Sequence, residues 1–381
     1  MVKQIDPFYV MEVAAAAQER EQSGEAVFHL EVGQPSTGAP KGAREAAHAL
    51  LDSDKLGYTP SRGIPSIIPA IAKHIDSQYG LEVDPARIAI TQGASGAFVI
   101  ALLAAFETGA RVAVSAPGYP CYRNMLMALD MEPVIVDVDA STRYQPTVEL
   151  LEAAGPLDGV IVASPSNPTG TVLRPAELRN LVEWCDANDV RFVSDEIYHG
   201  LTYDDVETAT ASAFSDNAIV INSFSKYFSM TGWRMGWMVL PEELTGLVDR
   251  LLQNLTICPT SISQHMAVAA LDCRTELDGH RERYATNREI LLEGLPKAGL
   301  TKLAPSDGAF YVWAQTDHLA ADSKALAAEW LQQLGVATTP GVDFHPTEGH
   351  RFMRFSFCDS TETMHGAVDA LQKWFQRSIA G

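Results

Sequence analysis

In the stretch "INSFSKYFSMTGWRMGW", Ile221 to Trp237, Lys226 follows an apolar run and Arg234 stands eight residues further on. The chain as a whole is acidic, with 28 Lys and Arg against 48 Asp and Glu and a formal net charge of −20. A lysine partly desolvated beside a second cation has its ammonium destabilised, and a free amine is what capture of a carbonyl requires. A lone lysine at such a place also fits a side chain that buries its stem and keeps its head in water.

Three other stretches bear on the choice. After "RIAIT" comes "QGASGAF", where Gly93, Ala94 and Ser95 open a helical pattern. Small residues let backbone N–H groups approach an anion, and the helix dipole adds about 0.3 to 1 kcal/mol. The stretch lacks the G-x-G-x-x-G and G-K-[ST] patterns of nucleotide sites. After "VIVAS" comes "PSNPTG", a turn fixed by Pro165, Pro168 and Gly170 from which Asn167 can direct its amide into a cleft. After "RFVS" comes Asp195-Glu196-Ile197-Tyr198. In an extended strand Asp195 and Ile197 share a face, so a carboxylate and an apolar wall address one flat object.

Singly, these fit a plain turn, a loop and a capping aspartate. Together they fall at the carboxyl ends of different strands, where open α/β sheets bind ligands. They describe a ligand with an anionic group, a flat ring with a cationic nitrogen and a carbonyl. Pyridoxal 5′-phosphate fits: its phosphate would take Gly93, Ala94 and Ser95 with Ser223, Ser225 and Arg234, its ring nitrogen Asp195, and its aldehyde Lys226.

The elements that must position these residues are short Val- and Ile-rich runs between residues 85 and 241, most followed by a helical pattern: "RIAIT", "RVAVSAP", "GVIVASPS", "RFVSDEIY" and "AIVINSFS". Such a pattern predicts an α/β fold, a mostly parallel mixed sheet sandwiched by helices. "MGWMVLP" follows too closely for a helical crossover and is expected to run antiparallel. "RTELDGHRERYATNREILLEGL" predicts one long helix leading to a second unit. The expected division is a large domain over 41–284 and a small α+β domain built from both chain ends, 1–40 and 285–381.

The stretches "LEVGQPSTGAP", "YTPSRG", "PGYP", "SNPTG", "DEIY", "SFSKYFSMTGWRMGW" and "RFMRFSF" run in order from residue 30 to residue 357. In these the chain resembles the class I, fold-type I pyridoxal phosphate-dependent aminotransferases related to aspartate aminotransferase. The resemblance implies that Lys226 forms the internal aldimine, that Asp195 pairs with the pyridine nitrogen, and that Asn167 and Tyr198 bond the ring oxygen. It implies that Tyr119 stacks on the cofactor, and that Arg354 with the backbone of Gly33 clamps the substrate α-carboxylate. Tyr58 resembles the tyrosine that reaches the phosphate of a neighbouring subunit, which implies a homodimer. The activity implied is ping-pong transamination from an L-amino acid to a 2-oxo acid.

Two other activities compete. A carbon–sulfur β-lyase would share the cofactor, the lysine and the aspartate. A serine acylase is suggested by Ser223-x-x-Lys226 and Ser215-Asp216-Asn217, but the order is reversed and no K-T-G occurs. The histidines predict no metal: His345 and His350 lack the i, i+4 spacing, and His199 is expected to pack or cap. "QNLTICPTSISQ" has no arginine for a distal carboxylate, which leaves aromatic and aliphatic donors open; Phe8, Tyr9, Phe344 and Arg123 are candidates for the pocket.

The acidic charge opposes nucleic acid or an anionic membrane as partner. Five cysteines without C-x-x-C spacing read as reduced thiols, and the N-terminus, with Asp6 and Glu12 in its only apolar stretch, does not read as a signal peptide. A cytoplasmic protein is the expectation.

Overall fold

The computed structural model describes residues 5 and 7–380; Asp6 and the other undescribed residues of the expected small domain lie outside that range. The chain opens with α1 (Tyr9–Gln22), β1 (Phe28–Leu30), α2 (Lys41–Ser53) and α3 (Ile67–Tyr79). Strands and helices then alternate: β2 (Ile88–Thr91), α4 (Gly93–Ala105), β3 (Arg111–Ala116), α5 (Pro120–Ala128), β4 (Glu132–Asp137), α6 (Val148–Ala153), β5 (Gly159–Ala163), α7 (Pro175–Ala187) and β6 (Arg191–Asp195). Next come β7 (Ile219–Ser223) and β8 (Gly236–Val239), then α8 (Glu242–Leu255), α9 (Ser261–Leu271) and the long α10 (Arg274–Lys297). The remainder is β9 (Tyr311–Gln315), α11 (Ser323–Leu334), β10 (Val336–Pro340), β11 (Phe352–Ser356) and α12 (Thr361–Ala380).

Seven strands form one sheet in the order β2-β8-β7-β6-β5-β3-β4. All neighbours are parallel except β8, which runs antiparallel to both β2 and β7, as the short spacing before "MGWMVLP" requires. Alternate residues of the central strands feed two cores. Val160, Val162, Phe192, Val220 and Trp237 face one side. Ile161, Val193, Ile219, Ile221 and Met238 face the other, against Phe98 and Leu102 of α4. A side chain such as Ile221, fully removed from water, contributes about 1.5 to 3 kcal/mol. This double covering makes the strands rigid mounts for whatever follows their carboxyl ends.

A second sheet, β1-β10-β11-β9, draws on both ends of the chain. β1 and β10 are parallel, while β11 lies antiparallel between β10 and β9. Arg354, at the middle of β11, sits opposite Trp313 on one side and Thr339 on the other.

Three strands, β1, β4 and β10, go beyond the sequence expectation. β4 is an edge strand whose Pro133 and exposed Ile135 weaken the pattern of a buried strand. β10 holds two adjacent threonines, and their hydroxyls are satisfied by Met353 Sδ and the carbonyl of Glu31.

Candidate active site

The carboxyl ends of β5, β6 and β7 and the start of α4 open on one cavity of about 620 Å³, which β9 and β11 close from the other side. Of the residues singled out from the sequence, Gly33, Ala94, Ser95, Tyr119, Asn167, Asp195, Tyr198, Ser225, Lys226, Arg234 and Arg354 line it.

Lys226 stands three residues after β7, and its Nζ donates to the carbonyl of Gly33 at 2.6 Å. Loss of hydration pulls its pKa down to about 8; Arg354 and Arg234 push it the same way, while Cys358 and Asp195 oppose. The amine lies 5.8 Å from the Tyr198 ring centroid and 5.7 Å from that of Phe310. It is therefore easier to deprotonate than a surface lysine.

Asp195 ends β6 with its carboxylate buried. Its Oδ1 accepts from the Ile197 N–H at 3.1 Å and its Oδ2 from the Tyr122 hydroxyl. Burial pushes its pKa up to about 6, against the downward pull of those two hydrogen bonds. Such a carboxylate favours a cationic partner in the cavity.

The start of α4 offers unpaired backbone N–H groups to an anion. Arg234 reaches the same place: a Cβ added at Gly93, whose φ is +72°, would stand 2.4 Å from Arg234 Nη2, so only glycine lets the guanidinium lie against the turn. Gly93 thus lies beside the cavity wall without lining it. Ser223 is also set back, its hydroxyl donating to the Met235 carbonyl at 3.0 Å and lying within hydrogen-bond distance, 2.8 Å, of Ser225 Oγ. Ser225, Ser95 and Arg234 line the cavity, and Ser223 holds Ser225.

Arg354 is buried among aromatic rings, 4.4 Å from the Tyr311 centroid and 4.7 Å from that of Phe344. Its Nη1 donates to Asn167 Oδ1 at 2.8 Å and its Nη2 to Thr339 Oγ1 and the Glu31 carbonyl. Its Nε is buried and has no hydrogen-bond partner among the described residues. A buried charged donor left unsatisfied is costly, and an anionic ligand is the chemical complement of this one. Gly33 lies beside it, so close to Tyr311 that a Cβ would stand 1.8 Å from the phenol oxygen.

Tyr58 is 86% exposed and outside the cavity of its own chain. Of the other candidates, Phe8 lines the cavity, Phe344 stacks on Arg354, Arg123 donates to the Asp343 carbonyl, and Tyr9 faces a groove between α1 and α11. His199 is committed to the Ser164 carbonyl at 2.9 Å and the Tyr79 hydroxyl at 2.5 Å.

Sequence reasoning missed Tyr122 and Tyr311, whose phenols bond Asp195 and Tyr198, the latter at 2.8 Å. It also missed the apolar lining of Val10, Met11, Val32 and Met125. "PCYRNM" and "GAFYVW" contained both tyrosines, but no spacing linked them to β6.

Residues 25–371 match the family model "Aminotransferase class I and II". The chain is 47% identical over 374 residues to the valine–pyruvate aminotransferase of Mycobacterium tuberculosis, covering 97% of this chain and 96% of that protein. It is 30% identical to the aspartate aminotransferase of Thermotoga maritima, with 95% of each chain covered. Among solved structures, an aminotransferase from Mycobacterium tuberculosis superposes with a TM-score of 0.96 at 46% identity, over 98% of this chain and 97% of that one. The aspartate aminotransferase of Thermus thermophilus with maleate gives 0.91 at 30% identity over 97% of each. Neither a lyase nor an acylase is favoured by these likenesses, and the chain belongs to the class I and II aminotransferases, enzymes that move amino groups between amino acids and oxo acids.

Proposed function

We propose that the chain is a pyridoxal 5′-phosphate-dependent enzyme that transfers the amino group of an apolar L-amino acid to a 2-oxo acid by a ping-pong route, as a cytoplasmic homodimer. The observation that carries this is the convergence of Lys226, Asp195, Asn167 and Arg354 on one cavity, with the Arg354 Nε buried and unbonded.

The donor set fits the cofactor. Ser95, Ser225, Arg234 and the backbone at Gly93 and Ala94 would hold the phosphate, supported by Ser223; Asp195 would pair with the ring nitrogen; Asn167 and Tyr198 would meet the ring oxygen and Tyr119 a face of the ring. When bound, pyridoxal phosphate supplies an aldehyde that exchanges with amines and a ring that accepts electrons from the substrate α-carbon.

Around that chemistry the chain supplies charge, orientation and proton movement. Asp195 as an anion keeps its partner protonated, through a charge-assisted hydrogen bond worth about 1.5 to 3 kcal/mol. Arg354, with the Gly33 backbone, holds the substrate carboxylate and so fixes which bond at the α-carbon is aligned to break. Lys226, with its amine shifted to about 8, accepts the α-proton and returns it across the site.

An apolar donor is supported by the relative that is named a valine–pyruvate aminotransferase. It is also supported by the cavity lining, where Phe8, Val10, Met11, Val32 and Met125 stand and, among the described residues, Lys226, Arg234 and Arg354 are the cations. A homodimer is supported by the exposed Tyr58, together with exposed Leu51, Leu255 and Ile257. The cytoplasmic location rests on five free thiols. The division into 41–284 and 1–40 with 285–381 belongs to the same reading, with α10 spanning the boundary.

Mixing the cofactor-loaded enzyme with L-valine and pyruvate is expected to yield alanine and the branched oxo acid. Release of ammonia and pyruvate from cystathionine, without amine exchange, would instead favour the lyase.

A further inference from the structure

Among the described residues before it, the helix α1 finds no side-chain cap. Its N-cap residue is Phe8, whose side chain makes no capping hydrogen bond, although a helix start leaves four N–H groups without intrahelical partners. Two of these are met from the far end of the chain. Asp343, in the turn after β10, accepts from the N–H of Tyr9 at 3.1 Å through Oδ1 and from that of Val10 at 3.0 Å through Oδ2. It is 1% exposed, so the carboxylate is committed to this task. An anion at this end of a helix is also favoured by the dipole. The same turn is fastened to the cavity wall: Arg123 Nη2 donates to the Asp343 carbonyl at 3.1 Å, and the Gly118 N–H to the Phe344 carbonyl at 3.0 Å.

Elsewhere α1 is held by polar ties to α11: Arg20 donates to the Gln332 carbonyl at 2.9 Å, Glu12 pairs with Lys324, and Lys324 lies 4.1 Å over the Tyr9 ring. Its Ala17 joins only Leu331 and Ala337 in a small buried cluster, edged by Val13 and Val27. A groove of about 530 Å³ runs between it and α11. Those ties hold the body of α1, while its first turn, the part that lines the active cavity, takes its side-chain hydrogen bonds from Asp343. Phe8, Val10 and Met11, at and just inside its start, line the active cavity, and Phe8 meets Tyr119 edge-on at 6.1 Å.

The geometry points to Asp343 as the positioning residue that fixes the start of α1 as the apolar wall for the donor's side chain, and so as a determinant of selection for branched aliphatic amino acids over small ones. This rests on the reading of the cavity as an amino-acid site. Arg354 and Lys226 fix the carboxylate and the α-carbon, and the wall then meets whatever the α-carbon carries. A valine reaches farther toward it than an alanine does.

The test uses Asp343→Ala, Asp343→Asn and Phe8→Ala in the cofactor-loaded enzyme, with single-turnover bleaching of the visible cofactor absorbance by L-valine and by L-alanine. Loss of a cap is expected to lower the valine-to-alanine ratio of second-order rates about tenfold in Asp343→Ala, through weaker saturation by valine. Asp343→Asn, which keeps one acceptor oxygen, should fall between that variant and the parent. Phe8→Ala should move in the same direction, and the affinity for pyridoxal phosphate should be unchanged in all three. An unchanged ratio in Asp343→Asn and Asp343→Ala, an equal loss for both amino acids, or a collapse of cofactor affinity would overturn the assignment. If Asp343→Ala does not fold, the ratio in Asp343→Asn decides. Failure of the parent enzyme to bleach with any amino acid would count against the reading of the site itself.

Discussion

The hydroxyl of Tyr122 donates to Oδ2 of Asp195, and both groups are buried beneath the cavity. Burial outweighs the hydrogen bonds from Tyr122 and Ile197 and leaves the Asp195 pKa at about 6, so the phenol is one of the groups that help keep the carboxylate ionised near neutrality. A carboxylate with a raised pKa is anionic only above it, so activity that needs the anion falls as pH drops through that value. Tyr122→Phe should shift this acid limb of the kcat profile upward by about one pH unit, the equivalent of losing one hydrogen bond to a charged group. A profile identical to that of the parent would deny Tyr122 this role.

Glu196 provides a contrast on the far face of the same strand end. Burial pushes its pKa up to about 7, against hydrogen bonds from the Ala211 N–H, Thr210 and Ser194. The neighbouring His199, 3.4 Å away, is held neutral by burial, its pKa lowered to about 4. A raised carboxylate pKa means stability present below the unfolded value and lost as pH rises through the folded one. Relative to the parent, the cofactor-free Glu196→Gln protein should therefore gain roughly 3 kcal/mol between pH 4 and pH 8, read from urea unfolding at each pH. A constant difference would contradict the buried-acid account.

Arg354 is expected to bind the substrate carboxylate with a planar fork, which lysine cannot reproduce. Arg354→Lys should raise KM for the amino acid by about a hundredfold, equivalent to about 3 kcal/mol, with little change in cofactor affinity. Steady-state kinetics alongside cofactor titration separates the two.

Tyr58 is exposed on its own chain and is proposed to complete the phosphate cup of a second copy. Tyr58→Phe should speed cofactor release severalfold and leave the dimer mass unchanged, as checked by dialysis and light scattering. Equal release rates would place Tyr58 outside the cup.

Six of the seven strands of the large sheet and most of the cavity were legible because local rules govern them. Val- and Ile-rich runs mark buried parallel strands, and the residues just after them, Asn167, Asp195 and Lys226, are where such sheets bind ligands. Arg354 became legible only through the resemblance, since it lies mid-strand in β11. What stayed hidden depends on contacts distant in sequence. Tyr122 lies 73 residues from Asp195, Tyr311 lies 113 from Tyr198, and Asp343 lies 333 from Val10. Periodicity says which face such a residue occupies and nothing about which partner it meets there. Ser223 is the reverse case, a residue of the right type and neighbourhood that the packing turns toward Ser225 and Met235.

Covalent attachment at Lys226 is the claim on which the rest depends. Borohydride reduction of the cofactor-loaded enzyme, followed by proteolysis and mass spectrometry, is expected to find the pyridoxyl phosphate mass on the peptide carrying Lys226 and on no other lysine. An unmodified Lys226 in enzyme saturated with pyridoxal phosphate would contradict the account.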